Sequence, residues 1–142
     1  MQLLRSYPAL KLYLHAAGDK ALEAQWYGAV SGTLFQTMVA EALALAQQYR
    51  FAGWVADDRL LGPLSAADVR YVGEQFMPSL IQLGLKRLAL LEAVSPASQE
   101  RVMAGLTSLG PNLCLQIRFF TDPIDARAWA CGLGNEYRGQ VH

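Results

Sequence analysis

Clusters of basic side chains are missing from this chain of 142 residues: 12 lysines and arginines are offset by 12 acidic residues, and no basic stripe forms. Nucleic-acid binders usually carry such a stripe, so nucleic acid is not expected as a partner. Cysteine is scarce, with only Cys114 and Cys131. Two thiols do not make a disulfide framework, and both are read as reduced and mostly buried in a cytoplasmic protein. Long apolar runs are also absent. Arg5, Pro8, Lys11 and Asp19 interrupt the mildly apolar Leu3-Leu4 and Ala9-Leu10, which excludes a signal-peptide core or a membrane span. The sequence holds no P-loop, no G-x-G-x-x-G between strand and helix, no Cys-x-x-Cys, no H-E-x-x-H and no G-x-S-x-G. Gly132-Leu133-Gly134 follows a helix pattern rather than a strand, so it is no dinucleotide fingerprint. No cofactor, no metal and no enzymatic activity are expected.

What is present reads as one globular α/β domain. Hydrophobic residues make up 53% of the chain and charged residues 17%, a globular balance. Residues 1–133 are read as the domain and 134–142, which lack an apolar period, as a flexible tail. Leu10, Leu12 and Leu14 alternate with Lys11, Tyr13 and His15, and Leu22, Ala24 and Trp26 repeat the pattern after the turn residues Ala16 to Asp19. Two such runs predict an antiparallel hairpin. The period then lengthens. Ser31 is placed as a helix cap, and Phe35, Met38, Val39, Ala42, Ala46 and Tyr49 fall on one helical face ending near Arg50.

The stretch from Phe51 to Ser65 organises the remainder. Phe51 to Ala56 is uniformly apolar, as an inner strand of a parallel sheet is. It is expected to break into a polar loop at Asp57-Asp58-Arg59 and to reach a helix start at Leu64-Ser65. Ser65 with Asp68 forms a capping-box pattern, and Leu64 with Val69 a hydrophobic staple. Val69, Val72, Phe76, Leu80 and Leu83 make the stripe of this second helix, Pro78 should bend it near Glu74, and Gly84 ends it. Lys86 to Leu91 is a further buried-type strand, Ser95-Pro96 opens a third helix, and Leu113 to Phe120 is an edge strand. Asp122-Pro123 caps a last short helix with Ile124, Ala128 and Trp129 facing inward. The order β-β-α-β-α-β-α-β-α predicts a mainly parallel five-stranded sheet with an N-terminal antiparallel hairpin and four helices.

This order, together with Trp26-Tyr27-Gly28, Ala42-Leu43, Tyr49 before Trp54, Asp57-Asp58-Arg59, Phe76 with Pro78, Gly84-Leu85-Lys86-Arg87, and Phe120 and Asp122 ahead of Ala126 and Trp129, resembles the STAS domain. That is the SpoIIAA-like fold of anti-sigma-factor antagonists, and small stand-alone bacterial proteins of the superfamily are the nearer likeness. The resemblance implies a regulatory or scaffolding domain that binds a protein partner, or in some members a nucleotide or lipid. Antagonist-type members carry a phosphorylated serine in an Asp-Ser-Ser-Gly-like signature at the second helix. This chain reads Asp57 to Ser65 there without that signature, so Ser65 is taken as a helix cap only.

The face to which function is assigned comprises Ser31, Asp57, Asp58, Arg59, Ser65 and Asp68. Adjacent strand residues point to opposite faces, so Asp57 and Asp58 do not converge on one proton or metal. A structural role, with Arg59 paired to a nearby acid, outweighs a catalytic one. Arg59 beside a helix start is also a candidate for holding an anionic group. His15 is read as a surface histidine and Trp26, Trp54 and Trp129 as core. The expected partner is a protein. The alternative is a small anionic ligand or a lipid, nucleotide-bearing ligands included, in a pocket under the second helix near Phe76 and Met77. A homodimer is compatible with the pattern.

Overall fold

The structure, a computed structural model, describes residues 1–91 and 114–133. The third helix expected from Ser95, the start of the last strand at Leu113 and the tail from 134 lie outside the described residues. Six strands form one sheet in the order β1-β2-β3-β4-β5-β6. They are β1 (Gln2–Tyr7), β2 (Leu10–His15), β3 (Ala21–Gly28), β4 (Gly53–Leu61), β5 (Arg87–Leu91) and β6 (Gln116–Phe120). β1, β2 and β3 pair antiparallel; β3 through β6 run parallel.

The expected hairpin is present, with Leu10 opposite Trp26, Leu12 opposite Ala24 and Leu14 opposite Leu22. One strand more than expected precedes it. β1 turns into β2 at Pro8-Ala9, and its register slips between Leu3 and Arg5. That bulge erases the period-two signal and hides the strand in the sequence. β6 lies at the sheet's other edge, as its alternation predicts.

Alternation sends the strands' side chains into two separate cores. On one face, Leu12, Leu22, Ala24, Trp54, Leu88 and Leu90 pack under α1 (Gly32–Tyr49) and under the helical rod made of α2 (Ala66–Tyr71), a π-helical turn (Val72–Phe76) and α3 (Met77–Gln82). α1 buries Phe35, Met38, Val39, Ala42, Leu45 and Ala46, the predicted stripe. It closes on Arg50 in the left-handed conformation, φ 56, whose N–H donates to the Ala46 carbonyl. The wide turn spans Val72 to Phe76, just ahead of Pro78, which removes a backbone donor there. Phe76 meets Trp54 edge-on at 5.2 Å, and Met77 and Leu80 are buried, so side chains fill the space under this rod.

On the opposite face, α4 (Pro123–Ala130) packs Ala126, Trp129 and Ala130 against Ala21, Val55, Ala89 and Leu91. Asp122 caps α4 as predicted, its carboxylate accepting from the Ile124 N–H at 2.8 Å. Ile124 itself points outward, a correction to its inward placement. Its position in the first turn is just off the arc that Ala126, Trp129 and Ala130 present to the sheet. Cys131 is buried but Cys114 is exposed, correcting the expectation of two covered thiols. The three tryptophans are all buried.

Candidate functional site

The strand register builds a polar site on the α4 side of the sheet. Residues paired across neighbouring strands share a face, so Lys11, Gln25 and Asp57 form one row across β2, β3 and β4. Tyr13, Glu23 and Val55 form the row below. Asp57-Asp58-Arg59, expected as a loop, lies inside β4 instead. The strand continues because Leu60 and Leu61 pair with Tyr27 and Gly28, after a register shift that absorbs one extra β4 residue. A bulge of this kind bends the chain and re-aims side chains. Here the Arg59 N–H turns back to Asp57 Oδ1 at 3.3 Å.

Arg59 grips Asp57 side-on, Nε to Oδ1 at 2.9 Å and Nη2 to Oδ2 at 2.9 Å. The sequence reading of Arg59 paired to a nearby acid is what the geometry displays. The carboxylate lies below the guanidinium: Asp57's side chain is 9% exposed and Arg59's 39%. An open cleft of about 330 Å³ adjoins the pair, lined by Gln25, Trp26, Tyr27, Asp57, Arg59 and Leu60.

Beneath the cleft lies a network absent from the sequence reading. Glu23 is fully buried in β3. Its Oε1 accepts from His15 Nε2 at 2.7 Å and from Arg127 Nε at 2.7 Å, and its Oε2 from Arg127 Nη2 at 3.0 Å and Gln25 Nε2 at 2.6 Å. Burial alone would raise the carboxyl pKa; the hydrogen bonds from His15, Arg127 and Gln25 outweigh it and lower the value from 4.5 to about 2. Tyr27 extends the chain, its hydroxyl donating to Gln25 Oε1 at 2.6 Å. Desolvation, then Tyr13, Asp57 and Glu23, raise the Tyr27 phenol above 10, so it keeps its proton. His15 is therefore a buried partner of Glu23, 9% exposed, and not the surface histidine the strand period suggested. Arg127 of α4 reaches the same Glu23 oxygen, and a helix more than a hundred residues away leaves no trace in local periodicity.

The remaining candidates occupy the other layer. Ser65 Oγ accepts from the Asp68 N–H at 3.1 Å, one half of the predicted capping box. The Asp68 carboxylate does not return to Ser65. It is buried and accepts from the Gly32 N–H at 3.2 and 3.1 Å, tying the start of α1 to α2. Ser31 stands at the N-cap of α1 without a side-chain hydrogen bond to it, and Asp68 serves that end in its place. The six candidates thus fall into two groups, Asp57 and Arg59 beside the cleft and Ser31, Ser65 and Asp68 at a helix–helix clamp, with Asp58 half-buried on β4. Among the described residues no group of His, Cys, Asp or Glu has the makings of a metal site.

A sheet with an antiparallel hairpin, parallel strands and helices on both faces is a SpoIIAA-like α/β fold. It is similar to the solved structure of an uncharacterized protein from the DUF3478 family with a SpoIIAA-like fold from Shewanella loihica PV-4, at a TM-score of 0.64 and 15% identity over 90% of this chain and 99% of that one. No protein-family model matches the sequence, and no curated protein does. No helix among the described residues is long and apolar enough to cross a membrane.

Proposed function

We propose that this chain is a non-enzymatic regulatory or scaffolding domain, of the kind used in bacterial signalling, that binds a protein partner at the carboxyl ends of β3 and β4. The observation that carries the reading is Leu60, 65% exposed on β4 next to an arginine already fixed by its own carboxylate. An apolar side chain standing in water beside an oriented guanidinium is the makings of a binding anchor, and arginine is among the residues enriched there. Leu34, in the first turn of α1, adds a second exposed leucine. The non-enzymatic part is supported by the commitments of the titratable groups. Both Asp57 oxygens are held by Arg59, and His15 is held by the buried Glu23.

Affinity capture with wild type and with Leu60→Asp tests this. A partner retained by wild type and by a control altered on the exposed face of α4, Ile124→Asp, but lost from Leu60→Asp, is the expected result. Equal capture by all three proteins contradicts it. A small-ligand reading draws on the same cleft rather than on the filled space beneath α3. Native mass spectrometry showing a co-purified molecule would favour that reading.

A further inference from the structure

The two carboxylates of the open sheet face lie underneath the cations they hold. Glu23 is fully buried beneath Arg127, and Asp57 beneath the more exposed Arg59. Lys11, opposite Gln25 on the same face, places its Nζ 5.7 Å from the centre of the Tyr27 ring. Lys11, Arg59 and Arg127 stand on this face beside Glu23 and Asp57, and within the two ion pairs the carboxylates are the less accessible members. A molecule entering the cleft meets positive charge first.

Arg59 spends Nε and Nη2 on Asp57. Among the described residues its Nη1 carries no hydrogen bond, so the end-on edge of the guanidinium stays available. A planar guanidinium offers that edge as a fork fitted to two oxygens of one anion. The buried carboxylate behind it removes the rotamer freedom that binding would otherwise cost, which is preorganisation by a supporting residue. Next to this fork the cleft is lined by Leu60 on the apolar side and by Gln25 and Tyr27 on the polar side, while Trp26, which also borders it, has its ring buried against Phe35 in the core of the other face.

We propose that the cleft is a receptor for an oxyanion, a carboxylate or phosphate monoester carried on an apolar body, with Arg59 as the receiving fork, Lys11 as the second charge, and Leu60 against the body. The inference rests on the reading of this face as the partner surface and names the chemistry of what arrives there. The same group is found on a phosphorylated or acidic side chain and on a small organic anion, and the test separates those sources.

The test is an NMR titration of the isotope-labelled chain at constant ionic strength with inorganic phosphate, phenyl phosphate and a short phosphoserine peptide. Saturable shifts of the Gln25, Tyr27, Arg59 and Leu60 amides are expected with phosphate. Binding should tighten by about tenfold for whichever larger probe supplies the right body. Phenyl phosphate ahead of the peptide identifies a small organic anion; the reverse order identifies a protein-borne group. Arg59→Gln should weaken binding by about tenfold or more. Because that change strips Asp57 of its partner, Arg59→Lys, which keeps the charge and loses the fork, provides a second reading and should weaken binding several-fold. Lys86→Gln, at the opposite end of the sheet, should have no effect. Shifts that never saturate, or saturation untouched by both Arg59 variants, overturn the inference. Failure here with capture still lost in Leu60→Asp removes the oxyanion alone. Phosphate binding abolished by Arg59→Gln, with capture untouched by Leu60→Asp, removes the partner reading alone.

Discussion

Glu23 exerts more influence on this molecule than its single carboxylate suggests. Its pKa in the fold, about 2, is depressed from 4.5, so its contribution to stability is complete above the unfolded value and disappears as pH falls through the folded one. A shift of that size corresponds to roughly 3 kcal/mol. Chemical denaturation between pH 5 and pH 2 should show that loss, and Glu23→Gln should be less stable at neutral pH and nearly flat across the same acid range. A wild-type acid limb as flat as the variant's would remove Glu23 from this role. Trp54, buried and edge-on to Phe76, should cost roughly 3–5 kcal/mol when replaced by alanine, read by denaturant melts. The cysteines give a third check. Burial pushes the Cys131 thiol up, while Cys114 is exposed, so a thiol reagent should label Cys114 alone in the folded protein. What was legible at this scale was side, not burial: alternation sets His15 on the polar face, but it is buried there, sharing Glu23 with Arg127 of α4. The same gap separates the inward reading of Ile124 from its exposed position.

Elements with an uninterrupted period were legible, and those with a bulge were not. The hairpin, α1 and the Asp122 cap follow directly from spacing and capping chemistry. β1 and the upper part of β4 did not, since each carries a register shift that scrambles alternation. In β4 three charged residues also imitate a loop. Asp68 misled in another way: its spacing from Ser65 fits a local capping box, whereas its carboxylate reaches across to Gly32. Asp68→Ala should cost roughly 1–3 kcal/mol by leaving the Gly32 N–H without its acceptor, measured as a lowered denaturation midpoint. Gly53 shows how closely α4 meets the sheet. A Cβ there would lie 2.0 Å from the Ala130 carbonyl oxygen, so Gly53→Ala must displace the end of α4. That variant should lose roughly 1–3 kcal/mol and show faster amide exchange in residues 126–133.

At the scale of the whole molecule, the decisive asymmetry among the described residues is in what packs on the two sheet faces. Among the described residues α1 and the α2–α3 rod pack on one face, while α4 rests on the other and meets β3 at Ala21 and, through Arg127, at Glu23. The row Lys11, Gln25 and Asp57, with Tyr27 and Arg59 above it, therefore opens to the cleft. The fold class and the pairing of Arg59 with a nearby acid were readable in the chain. The composition of the site was not, because Lys11, Gln25 and Tyr27 join it only through strand register, and Ser31, Ser65 and Asp68 leave it through the same geometry. Hydrogen–deuterium exchange on the protein alone and with its captured partner tests the central claim most directly. Protection confined to residues 25–28 and 57–61 is the predicted result; protection confined to β1 or to α4, with those two segments unchanged, would contradict it.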